Sequence, residues 1–241
     1  MIVDERMVAY INSLDVGNSA LVNQIEEEAL ATYVPIIRKE MQNFLKVILE
    51  IKRPKAILEV GTAVGFSALL MSEHVDADCH ITTIEKYEPR IPIAKENFRR
   101  AGKEEQITLL EGDAMEFLKT LEGPYDFIFM DAAKGQYIHF LPDILRLLSP
   151  GGILLSDNVL QDGDIIQSRF AVERRNRTIH SRMREYLYTL THHEQLTTSL
   201  LPLGDGVTLS VKKIGEKHEK NRTSDTCQQS GGFKGCSNVW R

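Results

Sequence analysis

The sequence predicts an α/β fold: a doubly wound, mostly parallel sheet of seven strands, helices on both faces, and a closing antiparallel hairpin. Three observations carry that expectation. Short apolar runs alternate with stretches at helical spacing between residues 56 and 155. Four of the five strands so predicted are followed closely by a carboxylate, which gathers acids at the carboxyl rim where parallel sheets bind ligands. Last, two β-rich runs at 196–201 and 207–211 flank Pro202-Leu203-Gly204-Asp205-Gly206, and an Asp-Gly turn between such runs signals a hairpin.

Residues 3–50 read as helices. Met7, Val8, Tyr10, Ile11 and Leu14 give one apolar face; Leu21, Ile25, Ala29 and Leu30 give a second; Met41, Phe44, Leu45, Ile48 and Leu49 give a third that stops before Pro54. Such helices either cover the sheet or form a homodimer face. Strands follow at 56–60, at 80–84 closing on Glu85, and at 107–110 leading into Glu111-Gly112-Asp113-Ala114. Two more come at 126–130 closing on Asp131 and at 153–155 closing on Asp157-Asn158. A loop and a long, arginine-rich helix then occupy 163–193.

At 241 residues the chain can bury one substantial domain, expected over 1–214 with 1–50 as a helical cap. From Gly215 the sequence turns polar and glycine-rich, and a disordered tail is expected over 215–241. Of three cysteines, Cys227 and Cys236 fall in that tail without a second ligand pair, so neither a disulfide framework nor a zinc site is expected. A net charge of -5 argues against a general polyanion binder and leaves room for a local basic face. No apolar run is long enough to cross a bilayer, and Met1-Ile2-Val3-Asp4-Glu5-Arg6 carries acids where a secretory signal would be basic. A cytoplasmic protein with no membrane partner is the expectation.

The most informative turn is Ile57-Leu58-Glu59-Val60-Gly61-Thr62-Ala63-Val64-Gly65-Phe66-Ser67. Strand, tight turn and helix follow one another, with glycines that let backbone approach a ligand. The acid-x-Gly-x-x-x-Gly spacing differs from the G-x-G-x-x-G of dinucleotide binders and resembles motif I of class I S-adenosylmethionine-dependent methyltransferases. That resemblance implies the Rossmann-like class I methyltransferase fold, whose sheet closes with an antiparallel hairpin. Glu85 then suits the ribose hydroxyls of the cofactor, and Asp113 with Ala114 the adenine. Gly61, Thr62, Ser67 and Glu59 suit the methionine end, and Asp131 bounds the same space. The resemblance adds Ile37, whose backbone would sit over the cofactor. Taken singly, Glu85 and Asp113 read equally well as solvated strand-end acids.

Met130-Asp131-Ala132-Ala133-Lys134 and Leu155-Ser156-Asp157-Asn158 bring two carboxylates and an amide oxygen to adjacent strand ends. This hard oxygen set suits Mg²⁺, or Mn²⁺ equally, with positions to spare for substrate. Here the chain resembles the divalent-metal-dependent O-methyltransferases, the group of the catechol and caffeoyl-coenzyme A enzymes. The resemblance makes Asp131, Asp157 and Asn158 the metal ligands and Lys134 the catalytic base. A dication lowers the pKa of a bound hydroxyl, and its charge favours the neutral amine of Lys134 that accepts the proton. Alone, Lys134 reads as a surface lysine and Asn158 as a turn residue.

Between 169 and 184 the chain is strongly basic, with Arg169, Arg174, Arg175, Arg177, Arg182 and Arg184. A charge run of this kind is commonly a solvated helix face, yet guanidiniums also suit phosphates and exposed bases. With Leu203-Gly204-Asp205-Gly206, the segment resembles the bacterial tRNA 5-hydroxyuridine methyltransferase branch. That resemblance covers roughly residues 1–213 and implies 5-methoxyuridine at the wobble position as product, with the arginines gripping the anticodon stem-loop. Two rival expectations stand beside it: a small-molecule O-methyltransferase for catechol-like acceptors, and a cofactor-binding RNA partner without catalysis.

Overall fold

A computed structural model describes residues 3–215; the expected disorder of the tail beyond them, with Cys227 and Cys236, lies outside the described residues. Three helices come first: α1 (Glu5–Ser13), α2 (Ala20–Ala31) and α3 (Lys39–Lys52). Strands and helices then alternate as β1 (Ala56–Val60), α4 (Phe66–Glu73), β2 (His80–Glu85), α5 (Ile91–Arg100), β3 (Ile107–Glu111), α6 (Ala114–Thr120) and β4 (Tyr125–Met130). After α7 (Tyr137–Leu147) come β5 (Leu148–Ser156), α8 (Arg177–His192), β6 (Leu196–Leu201) and β7 (Val207–Lys212). Strand β5 begins before the expected 153 because Leu148 already pairs with Tyr125; the register then shifts across Ser149-Pro150-Gly151-Gly152, with Gly151 at φ 75°, before Ile153 pairs with Phe127.

Seven strands form one sheet in the order β3-β2-β1-β4-β5-β7-β6. The first five run parallel, and β7 pairs antiparallel with both β5 and β6. The expected architecture is therefore present. Period-two alternation explains how the central strands hold both layers. Ile57, Phe127 and Phe129 face a core built with α2, α3, α4 and α5. Leu58, Val60, Ile128 and Met130 face a second core built with α6, α7 and α8. Buried on both sides, β1 and β4 read as largely apolar runs, interrupted by Glu59 in β1 and by Asp126 in β4.

Of the two uses expected for the cap, covering the sheet holds for α2 and α3 and not for α1. Helix α1 buries none of its residues, and Met7, Tyr10, Ile11 and Leu14 are exposed; Leu30 of α2 is exposed as well. Nothing in the described chain covers that face, so α1 does not join the layer over the sheet. Among the described residues no helix is long and apolar enough to cross a membrane.

Candidate functional site

The carboxyl ends of β1, β2, β4 and β5 open on a cavity of about 530 Å³. Ile37, Gly61, Thr62, Ser67, Glu85, Asp113, Ala114, Asp131, Lys134, Asp157 and Asn158 all line it. Every residue assigned from sequence to cofactor, metal or catalysis is thus at this one place, except Glu59.

Glu59 is fully buried beneath the β1 turn, where it accepts hydrogen bonds from Ser67 Oγ at 2.5 Å and from Thr83 Oγ1. Burial pushes its carboxyl up to about 7, against the two hydroxyls that favour the charge. Its role is to brace the turn from below. Thr83 reaches across to Thr62 as well, with the two hydroxyl oxygens 2.6 Å apart. The glycines also serve the chain's own packing. At φ 108°, Gly61 packs against β4: a Cβ there would lie 2.1 Å from the carbonyl oxygen of Asp131. A Cβ on Gly65 would strike the Phe98 ring at 2.6 Å. Both positions are demanded by the chain's own packing, which draws the β1 and β4 ends together. The amides of Gly61 and Thr62 both donate to Ile84 O, so those two N–H groups are already paired.

On the cofactor side, Glu85 accepts from Ala63 N and Tyr87 N, each at 2.7 Å, one on each carboxylate oxygen. A second lone pair on each oxygen remains for hydroxyl donors. Asp113 caps α6 by accepting from Met115 N at 2.9 Å. Ile37 enters from the cap, its carbonyl held by Gln42 Nε2 at 3.1 Å. The cavity therefore offers acids at one end and apolar walls from Ile37 and Phe66 between.

At the other end stand two neighbouring acids, Asp157 buried and Asp131 partly buried. Burial raises Asp131, and burial followed by the charge of Asp131 raises Asp157; Lys134 offsets only part of either. Such a pair lacks positive charge, which is the condition a dication relieves. With Asn158 the donor set is two carboxylates and an amide oxygen, which fits Mg²⁺ or Mn²⁺. Among the described residues no group of three or more acidic, histidine or cysteine side chains is arranged to hold a metal. The amide of Asn158 would complete the set. Its Oδ1 accepts from Lys134 Nζ at 2.8 Å.

Tyr137, which the sequence reading passed over, ties both ligand loops together. Its hydroxyl lies 3.0 Å from Met130 O and 3.2 Å from Asp157 O, and it accepts from Ala132 N at 3.2 Å. The ring sits edge-on against Tyr186, whose hydroxyl bonds Ser156 Oγ. Only the fold reveals these contacts, since nothing in Lys134-Gly135-Gln136-Tyr137 marks the tyrosine out.

None of the six arginines between 169 and 184 lines the large cavity, whose guanidiniums come from Arg38 and Arg90. A neighbouring cleft of about 310 Å³, lined by Lys134, Asn158, Gln161, Asn176, Ile179 and Asp205 among others, separates it from the start of α8. Arg169, Arg174 and Arg175 are exposed around that helix start. Arg177 spends its guanidinium on Val172 O and Phe170 O, Arg182 donates to Gly135 O, and Arg184 donates to Gln167 O. Those three shape the segment as well as charging it.

Comparison with known proteins agrees with this geometry. The family model described as O-methyltransferase matches residues 12–213. A caffeoyl-CoA O-methyltransferase of Populus trichocarpa is 30% identical over 177 residues, 69% of this chain and 70% of its own. Among solved structures, a candidate caffeoyl-CoA O-methyltransferase from Staphylococcus aureus superposes with a TM-score of 0.79 at 31% identity, covering 87% of this chain and all (100%) of that one. The Podospora anserina methyltransferase PaMTH1, solved with SAH bound, gives 0.78 at 29% identity, covering 87% and 95%.

Proposed function

We propose that this chain, which belongs to the O-methyltransferase family, moves a methyl group from S-adenosylmethionine onto a hydroxyl flanked by a second oxygen, with a divalent cation held by Asp131, Asp157 and Asn158. One observation carries this reading: the neighbouring acids Asp131 and Asp157 open into the same cavity as Ile37, Glu85 and Asp113. When bound, the sulfonium cofactor supplies an electrophilic methyl, and the dication lowers the acceptor's pKa and fixes its oxygen. The protein's own share is alignment and one proton transfer. Transfer would form the oxygen–carbon bond and break the carbon–sulfur bond, leaving the electron pair on sulfur as S-adenosylhomocysteine. Lys134 Nζ receives the hydroxyl proton.

For the acceptor we infer 5-hydroxyuridine at the wobble position of tRNA, where a hydroxyl stands beside a carbonyl. Supporting it are the exposed arginines next to the smaller cleft, together with Phe170 (84% exposed) and Ile166 (83%) set among them. Unpaired bases stack on such side chains while guanidiniums hold phosphates. A second reading, a catechol-like or caffeoyl-coenzyme A-like small molecule, is better supported by the relatives' names than the RNA reading is.

One assay separates them. Purified protein with labelled S-adenosylmethionine and Mg²⁺ is offered tRNA bearing 5-hydroxyuridine and, separately, catechol and caffeoyl-coenzyme A, each with and without EDTA. Label in tRNA at a rate far above the small molecules, lost in EDTA, is the expected result. Label in the small molecules alone establishes the second reading. Transfer that survives EDTA overturns the metal.

A further inference from the structure

The hairpin turn Gly204-Asp205-Gly206 is built into the site rather than lying outside it. Val159 N donates to Gly206 O at 2.9 Å and Leu160 N to Asp205 O at 2.8 Å, so the turn is docked on the residues that follow Asn158. Gly206 permits that approach: at φ 87°, a Cβ would lie 2.2 Å from Leu160 Cγ. Across the cavity mouth, Arg38 Nη2 lies 2.9 Å and 3.0 Å from the two carboxylate oxygens of Asp205, which is mostly buried. A third contact runs inward: Asn158 Nδ2 donates to Asp205 Oδ2 at 3.4 Å, while Asn158 Oδ1 accepts from Lys134 Nζ at 2.8 Å.

The two ends of an amide have nearly the same shape and differ only in what they can bond. An ammonium can only donate and a carboxylate only accept. Asp205 can bond only the N–H end of the Asn158 amide, so it fixes one orientation both when Lys134 is an ammonium donating to Oδ1, as here, and when Lys134 is the neutral amine that takes up a proton. Only an oxygen facing the acidic pair is useful to a cation; the opposite orientation presents N–H groups. We propose that Asp205 is a positioning residue, which orients the Asn158 amide so that Oδ1 and not Nδ2 faces Asp131 and Asp157. The inference rests on the metal reading above. It adds the partner behind the weakest of the three ligands, as metal sites elsewhere rely on groups that orient their ligands.

The rival explanation is plain charge: Asp205 would attract a dication whatever Asn158 does. A double-mutant cycle tells them apart, because a carboxylate at 158 has two equivalent oxygens and needs no orienting. Mn²⁺ binding is titrated by electron paramagnetic resonance, with S-adenosylhomocysteine saturating, for wild type, D205A, N158D and N158D/D205A. Orientation predicts that Asp205→Ala, which removes the acceptor, weakens Mn²⁺ about tenfold when Asn158 is present and less than about twofold in the N158D background. Losses that agree within about threefold in the two backgrounds overturn it, whether both are large or both negligible. Asp205→Asn, which removes the charge and keeps an amide oxygen as acceptor, should stay within about threefold of wild type, where plain charge predicts the same loss as Asp205→Ala; thermal unfolding confirms that each sample is folded. Wild-type protein that binds no Mn²⁺ would sink the metal reading itself, a result distinct from failure of the cycle.

Discussion

Buried Glu59 keeps its proton up to about pH 7, because burial penalises the carboxylate more than Ser67 and Thr83 favour it. In the unfolded chain the same group ionises near 4.5. The folded value is the raised one, so its contribution to stability is present in full below 4.5 and is lost as pH climbs through about 7. The whole effect is on the order of 3 kcal/mol. Glu59→Gln cannot ionise, so between pH 5 and pH 8 it should lose about 2 kcal/mol less unfolding free energy than wild type. Urea unfolding at the two pH values measures this; equal losses would refute it. At this scale the sequence was a good guide to position and a poorer one to role. Glu85, Asp113, Asp131 and Asp157 reach the cavity because parallel strands end at a common rim. Glu59 misses it because strand alternation turns it to the opposite face from Leu58 and Val60. Its partners, one on α4 and one on β2, are remote in sequence, and no local pattern announces them.

Gln42 decides how the helical cap meets the rest. Its side chain, 1% exposed, donates to Ile37 O and to Glu26 Oε1 at 2.8 Å and accepts from Asn18 Nδ2 at 3.0 Å. Glu26 in turn accepts from Lys39 Nζ at 2.6 Å. One amide thus joins α2, α3 and the loop that carries Ile37 over the cofactor end of the cavity. Replacing it with leucine keeps the volume but leaves buried polar groups without their partner, at a cost of about 1–3 kcal/mol. Gln42→Leu should lose that much in urea unfolding and bind S-adenosylhomocysteine several-fold more weakly by calorimetry. Wild-type affinity would show that the loop is held by something else. Helix existence and order in the cap were readable from apolar periodicity. Which face is covered was not: α1 has as clear an apolar stripe as α3, yet only α3 finds a partner in α4 and the sheet.

The whole molecule is acidic at -5, yet its basic stretch stands beside the mouth through which an acceptor would reach Lys134. A small neutral acceptor gains little from that arrangement. A polyanion gains attraction and counterion release, with affinity that falls steeply as salt rises. The periodicity that exposed the sheet also located this segment, but it could not distinguish arginines that face solvent from those that tie the segment down. Arg177 belongs to the second kind, through Val172 O and Phe170 O, so changing it would disturb the loop itself. Arg169, Arg174 and Arg175 are exposed, and Arg175 pairs with the exposed Glu173 at 2.7 Å. Their triple replacement by glutamate should weaken binding of an anticodon stem-loop at least about tenfold near 0.15 M salt and flatten the plot of log K against log salt. Phe170→Ala should weaken it by about 1–3 kcal/mol while leaving that slope alone, because stacking carries no counterions. Affinity for S-adenosylhomocysteine should stay within about twofold in both variants, since neither touches the large cavity. If the triple variant instead binds the stem-loop as wild type does across the salt series, the basic rim is only a solvated helix face, and the acceptor is a small molecule.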